Sequence, residues 1–282
     1  MGQTLVIAEP GCTHEGDWST LLDLLHTAKR CGADVWKPQW TSDPVQMCER
    51  RHIGPDHPKR TYYERAYSWL NFPVAWHAEF KALCQQVGLQ YAVTCFLPQD
   101  VATVAPFVDY FKIANFESQD EALIEACKRF QGYPNPGGGP VLIVSHPGGV
   151  PNPAYRCWWA RPKHLHCVAA YPAPMEAMNL SCIREVHDEY GDCVRYGFDG
   201  LSDHSRHLLT GALAVACGAD IIETHYRLDS CDPNNPDYAV AFTPAEFTTY
   251  IQNIRDAEIM LGDGVKQIQP CEEWALPYRV TA

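Results

Sequence analysis

Short apolar runs alternate along the whole chain with stretches of helical period. Residues 4–9 (TLVIAE) form the first run, which ends on a carboxylate and is broken by Pro10 and Gly11. Asp17 is suited to cap a helix. Beyond it Leu21, Leu24, Leu25 and Ala28 recur at the spacing of one helix face, until Gly32 stops the pattern. A second strand over 34–37 ends at Lys37–Pro38–Gln39, which completes a β-α-β unit of the usual size, about thirty residues. The alternation continues. It predicts strands over 89–94, 109–113, 141–145, 164–168, 194–199 and 220–224, and helices over 73–88, 99–107, 119–130, 177–190, 205–217 and 243–261. The VLIV run at 141–144 is apolar throughout, as parallel strands buried on both faces are. Residues 151–160, with two prolines and two adjacent tryptophans, make the poorest helix. Residues 40–72 predict a long loop with a short helix over a pocket mouth, and 263–282 a tail folded back over the domain.

Eight strands, each followed by a helical segment, predict an α/β chain folded as one (β/α)8 TIM barrel. The 282 residues suit a fold that usually takes about 250. An open, doubly wound sheet is the rival topology. Against it, no strand is followed by G-x-G-x-x-G or a P-loop. Residues with chemistry also follow nearly every strand, which is where a barrel collects them.

Composition narrows the partners. A formal net charge of -12 disfavours duplex nucleic acid or an anionic membrane as the main partner. No apolar run approaches the roughly 20 residues of a membrane span, and the N-terminus lacks the pattern of a secretory signal. The 13 cysteines are dispersed, with no C-x-x-C, so they read as small buried hydrophobes in a reducing cytosol. Cys12, Cys95 and Cys167 fall near strand ends and could line the pocket, but none has an adjacent base to make it a nucleophile.

The strongest chemical signal lies between Gly197 and His225. Ser202–Asp203–His204 follow one predicted strand and His225 ends the next. Neighbouring parallel strands bring such residues together, and two imidazoles can share a divalent cation whose other positions stay open to water and substrate. Lys37 and Lys112, at the ends of apolar strands, need a counter-charge. A bound phosphate or carboxylate would serve, aided by the hydroxyls of Thr94, Ser145 and Ser202; so would a barrel carboxylate such as Glu9 or Glu117.

These residues carry a family resemblance. IAEPGCTHEGD at 7–17, GADVWKPQ at 32–39, TCF at 94–96, FKIANFE at 111–117, LIVSHPG at 142–148, LHCVAAYPAP at 165–174, GLSDHS at 200–205 and GADIIETHYRLD at 218–229 stand in the order found in sialic acid synthases. The chain resembles their catalytic barrel, without the small C-terminal antifreeze-like domain. The resemblance implies condensation of phosphoenolpyruvate with an aldehyde or sugar acceptor, giving a 2-keto acid and phosphate. It implies Mn2+ or Mg2+ on His204 and His225, and a homodimer. Lys37, Thr94, Lys112, Ser145 and Ser202 would cradle phosphoenolpyruvate, and Glu117 would handle protons. Glu9, Gln39, Phe96, Tyr171 and Asp237 would contact the acceptor. Asn115, Thr13, His146 and Ala169 stand where the family usually carries Ser, Asn, Thr and Asn, so the acceptor is expected to differ from N-acetylmannosamine. Two other readings fit a barrel: an aldolase, lyase or hydrolase acting on a different enol or keto acid, or a non-catalytic sugar-binding barrel.

Overall fold

Nine parallel segments close into a barrel of eight staves in the computed structural model, which describes residues 3–130, 139–146, 162–183 and 198–279. They are β1 (Leu5–Glu9), β2 (Val35–Trp36), β3 (Gln39–Trp40), β4 (Gln90–Cys95), β5 (Tyr110–Ile113), β6 (Val141–His146), β7 (Lys163–Cys167), β8 (Gly200–Asp203) and β9 (Ile221–His225). Their order is β2-β1-β9-β8-β7-β6-β5-β4-β3, and pairing of β2 with β4 completes the ring. The second stave is split. Pro38 has no N–H to give, so the stave is paired with both β1 and β4 at Val35 and Trp36 but with β4 alone at Gln39 and Trp40.

Strand periodicity divides every stave between two environments. Ile7, Val35, Ala92, Ile143, Leu165 and Ile221 make an apolar floor inside the barrel. Two residues further along the same strands come Glu9, Lys37, Thr94, Ser145, Cys167 and Glu223. One step of the pleat thus changes a packed floor into a polar ceiling. The residues that alternate with them point outward: Val6, Trp36, Val93, Leu142 and Ile222 pack in the main core with the surrounding helices. Gly200 is required where β8 meets β9, since a Cβ there would lie 1.8 Å from the Ile221 carbonyl oxygen.

The helices are α1 (Trp18–Cys31), α2 (Pro44–Arg50), α3 (Arg60–Trp69), α4 (Ala75–Val87), α5 (Pro98–Val104), α6 (Glu121–Lys128), α7 (Thr210–Ala216) and α8 (Pro244–Leu261). Asp17 caps α1 by accepting from the Thr20 amide at 2.7 Å. Thr243 caps α8 in a reciprocal box with Glu246.

Four expectations change. The predicted 40–72 loop holds two helices, α2 and α3. With Cys12 and Phe96 they bury Met47, Cys48, Ile53, Tyr67 and Leu70 in a cluster of their own, so this segment is a roof with its own small core. Of the strand expected at 194–199, residues 194–197 lie outside the described residues, 198 and 199 are not strand, and β8 is Gly200–Asp203. Ser202 and Asp203 are polar and read as loop, yet both are buried in β8, where Glu223 accepts from Ser202 and Asp203 accepts from Tyr250 at 2.7 Å. The helix expected over 177–190 shows two short 3-10 turns, Met175–Ala177 and Leu180–Ile183. Its remainder lies outside the described residues, as does the weak helix at 151–160. The tail carries a 3-10 stretch, Pro270–Tyr278, and leaves Trp274 and Tyr278 exposed instead of packed over the barrel. Among the described residues no helix is long and apolar enough to cross a membrane.

Candidate active site

A cavity of about 670 Å³ opens at the carboxyl ends of the strands, beneath the α2–α3 roof. Its base is a mesh of opposite charges. Lys37 Nζ lies 2.8 Å from Glu9 Oε2, 3.6 Å from Glu223 Oε2 and 2.6 Å from Thr94 Oγ1. Lys112 Nζ lies 2.8 Å from Glu223 Oε1, which also accepts from Ser202 Oγ at 3.0 Å. Gln39 donates to Glu9 Oε1 at 2.6 Å. Burial alone would raise the Glu9 pKa, but the Lys37 charge, with His225 and Lys112, overrules it and holds the carboxyl well below the usual range. Burial would lower Lys112, and the Glu223 and Glu9 charges raise it instead. The sequence reading missed Glu223. It stands two residues before His225 on β9, so the pleat that turns His225 into the barrel turns Glu223 in as well.

His204 and His225 meet as expected from adjacent staves, with ring centroids 5.4 Å apart. His204 Nδ1 donates to the Val168 carbonyl at 3.1 Å, which leaves the lone pair on Nε2, 3.2 Å from the Tyr171 hydroxyl. Tyr171 stacks on the same ring at 4.4 Å. Burial, reinforced by the His225 charge, depresses His204 to about 4, so it is neutral near pH 7. His225 Nδ1 is buried without a hydrogen-bond partner, 4.0 Å from Asp237 Oδ2. Asp237 is positioned by the Cys12 amide, which donates to it at 2.8 Å. Gly11 makes this approach possible: its φ is +55°, and a Cβ would fall 2.1 Å from Asp237 Oδ2 and 2.9 Å from His225 Nδ1.

Of the fourteen site residues expected from the sequence, twelve line the cavity; Lys37 and Glu117 do not. Lys37 is fully buried behind Glu9 and Thr94. Glu117, expected to handle protons, instead gives its Oε1 to Arg51, which donates from Nε at 2.9 Å and from Nη2 at 2.7 Å. Arg51 lines the cavity in its place, and no periodicity or motif marks it inside the charged run CERRH. Two buried donors, Asn115 Nδ2 and Ser145 Oγ, face no hydrogen-bond partner among the described residues. Cys12 and Cys167 line the cavity and Cys95 does not. Burial pushes the Cys167 thiol up to about 11 and raises Cys12 well above its ordinary value, so both are protonated and neither is a ready nucleophile.

A barrel with paired histidines above alternating lysines and carboxylates defines a class of carbonyl-handling or anion-handling sites, which fold alone cannot subdivide. Sequence comparison subdivides it. The NeuB family model matches residues 24–133 and 163–266, and the chain belongs to the NeuB family. It is 30% identical to an uncharacterised protein of Methanocaldococcus jannaschii over 95% of this chain and 75% of that one. It is 29% identical to a pseudaminic acid synthase of Campylobacter jejuni over 99% of this chain and 80% of that one. Among solved structures, an N-acetylneuraminic acid synthetase from Leptospira borgpetersenii superposes with a TM-score of 0.78 at 23% identity, covering 99% of this chain and 92% of that one, which shows the shared fold.

Proposed function

We propose that this chain is a sugar-acid synthase that joins phosphoenolpyruvate to an aldehyde or sugar acceptor, releasing a 2-keto acid and phosphate. Relatives named as pseudaminic acid, N,N'-diacetyllegionaminic acid and N-acetylneuraminate-9-phosphate synthases support the synthase class. The observation that carries the donor assignment is the pair of orphaned donors, Asn115 Nδ2 and Ser145 Oγ, in a cavity that Lys112 also lines. A buried donor without an acceptor costs roughly 1–3 kcal/mol, and an oxyanion removes that cost. Thr94 and Ser202 add hydroxyls to the lining of the same cavity.

In this reading C3 of the enol forms a bond to the acceptor's carbonyl carbon, whose oxygen gains a proton. Water adds its oxygen at C2, the C2–O bond to phosphorus-bearing oxygen breaks, and the ketone forms as phosphate departs. Lys37 is held behind Glu9 and Thr94, and Lys112, which lines the cavity, is the ammonium that an anionic donor would share with Glu223. Glu9 stays ionised and orients the Gln39 amide on the acceptor side, where Phe96, Tyr171 and Asp237 also lie.

The residues fit a divalent cation, Mn2+ or Mg2+. Two imidazoles present ring nitrogens to one cavity, and His225 Nδ1 has no hydrogen-bond partner. Among the described residues no group of three His, Cys, Asp or Glu side chains is placed to hold an ion, so the two imidazoles would be the cation's ligands from this set. Held there, the cation supplies Lewis-acid polarisation of a carbonyl. The test is phosphate release from phosphoenolpyruvate with Mn2+ across a panel of aldoses and N-acetyl sugars. Acceptor-dependent phosphate with a matching 2-keto acid is expected. No release with any aldehyde removes the proposal.

A further inference from the structure

The cavity is polarised along its depth. The barrel end lines it with three carboxylates, Glu9, Glu223 and Asp237, against one cation, Lys112, while the charged groups that the roof contributes are both cations, Arg51 and Lys59. Lys59 makes no ion pair among the described residues. Arg51 has five N–H donors. Nε and Nη2 each spend one on Glu117 Oε1, and Nη1 spends one on the Tyr67 hydroxyl at 3.1 Å. Two remain uncommitted, one on each terminal nitrogen.

The guanidinium is also fixed in place. It lies 5.6 Å from the Tyr67 ring centroid, 5.3 Å from Phe96 and 5.1 Å from Phe116, and all three rings line the same cavity. Glu117 grips it through one oxygen only, and the other oxygen is buried without a hydrogen-bond partner. A fork that needed only its own carboxylate would take both oxygens in parallel. This one is held from behind, and its spare donors are on a cavity-lining group. The next residue back, Arg50, forms an ion pair with Asp120, which pins the same end of α2 to the segment beyond β5.

We propose that the acceptor carries a carboxylate or phosphate at the end remote from its carbonyl, and that Arg51, oriented by Glu117 and assisted by Lys59, selects it. With the carbonyl end at His204 and His225, the acidic end reaches the roof. The assignment to an acceptor rests on the synthase reading above; the anion seat itself stands on the roof geometry. Arg51 is thus a specificity-determining residue, and Glu117 is its positioning residue.

Titration calorimetry on the full chain tests this with non-reacting sugar alcohols, without phosphoenolpyruvate. Mannitol, mannitol 6-phosphate and an aldonate of the same length form the series, and the two acidic members tell phosphate from carboxylate. At least one acidic ligand is expected to bind roughly 10- to 100-fold tighter than mannitol, the range of a charge-assisted contact. Arg51→Gln should bring that ratio near one, and Arg51→Lys, which keeps the charge and loses the fork, should fall between. Mannitol binding as tightly as both acidic ligands overturns the proposal, and so does an Arg51→Gln protein that keeps the preference. If Arg51→Gln fails to fold, the wild-type ratio decides alone. In turnover, an acceptor preference that follows the same order supports the proposal. Acid-selective binding with no turnover by any acceptor overturns both the synthase reading and the assignment of the anion to an acceptor.

Discussion

Lys112 Nζ and Glu223 Oε1 stand 2.8 Å apart in the barrel, each side chain almost wholly buried. The pair is not interchangeable with apolar packing once one partner is removed, because the other remains as an uncompensated charge. Glu223→Gln is expected to cost about 3–5 kcal/mol of stability. Urea unfolding checks this. A loss under about 1 kcal/mol would mean that Lys112 finds Glu9 or sheds its proton at little cost.

The paired histidines give a second expectation. His204 gives up only its contacts with Val168 and Tyr171, and His225 Nδ1 has no hydrogen-bond partner to lose, so truncation should leave the barrel standing. His204→Ala and His225→Ala should each lower acceptor-dependent phosphate release by roughly a hundredfold or more, the scale of losing one focused electrophilic contact. Chelation of divalent cations should do the same to the wild-type protein. Unchanged circular dichroism with intact turnover in both variants would remove these residues from the chemistry.

Acid stability should depend on buried neutral imidazoles. His77 is fully buried against Tyr91, whose hydroxyl is 2.8 Å from Nδ1, and burial depresses it from 6.5 to about 4. The unfolded chain then binds the proton more tightly than the folded one. The contribution is complete above pH 6.5 and is lost as the pH falls toward 4, by about 3 kcal/mol at most. His14, also lowered to about 4 by burial, adds to the same slope. His77→Phe should flatten part of the stability profile between pH 6.5 and 4 in urea titrations. An unaltered profile would show that His77 gains a proton without unfolding anything.

Gly11→Ala probes the turn that lets Asp237 reach His225. The backbone φ of +55° disfavours any side chain, by about 1 kcal/mol, and the new Cβ would collide with the Asp237 carboxylate. The variant is expected to lose more activity than stability: roughly tenfold or more in kcat/KM against a few degrees in melting temperature. Equal activity in the two proteins would show that Asp237 can move aside freely.

Much of this was legible in the chain. The eight-stave barrel follows from alternating periods, and the histidine pair from their places at successive strand ends. Three features escaped for physical reasons. Ser202 and Asp203 look like loop residues because polarity normally marks solvent, whereas in β8 their partners are Glu223 and Tyr250, one stave and one helix away. The break at Pro38 reads as the end of a strand, because nothing local shows that β4 keeps pairing beyond it. Arg51 sits in a polar run without period, and its significance comes from Glu117 and three rings that only the fold assembles around it. Glu223 could have been found by counting back two from His225.

The roof's separate apolar cluster has a consequence for how such a protein can change. Met47, Cys48, Ile53 and Leu70 support one another, with Cys12 and Phe96 as the cluster's apolar contacts from the barrel and the Arg50–Asp120 and Arg51–Glu117 pairs as polar ties to it. Ligand choice and bond-making chemistry are therefore carried by two modules with different mutational tolerances. Grafting residues 43–71 from one such chain onto another that keeps Glu117, Phe96 and Phe116 beneath should transplant a taste for acceptors while the machinery there goes on working unaltered.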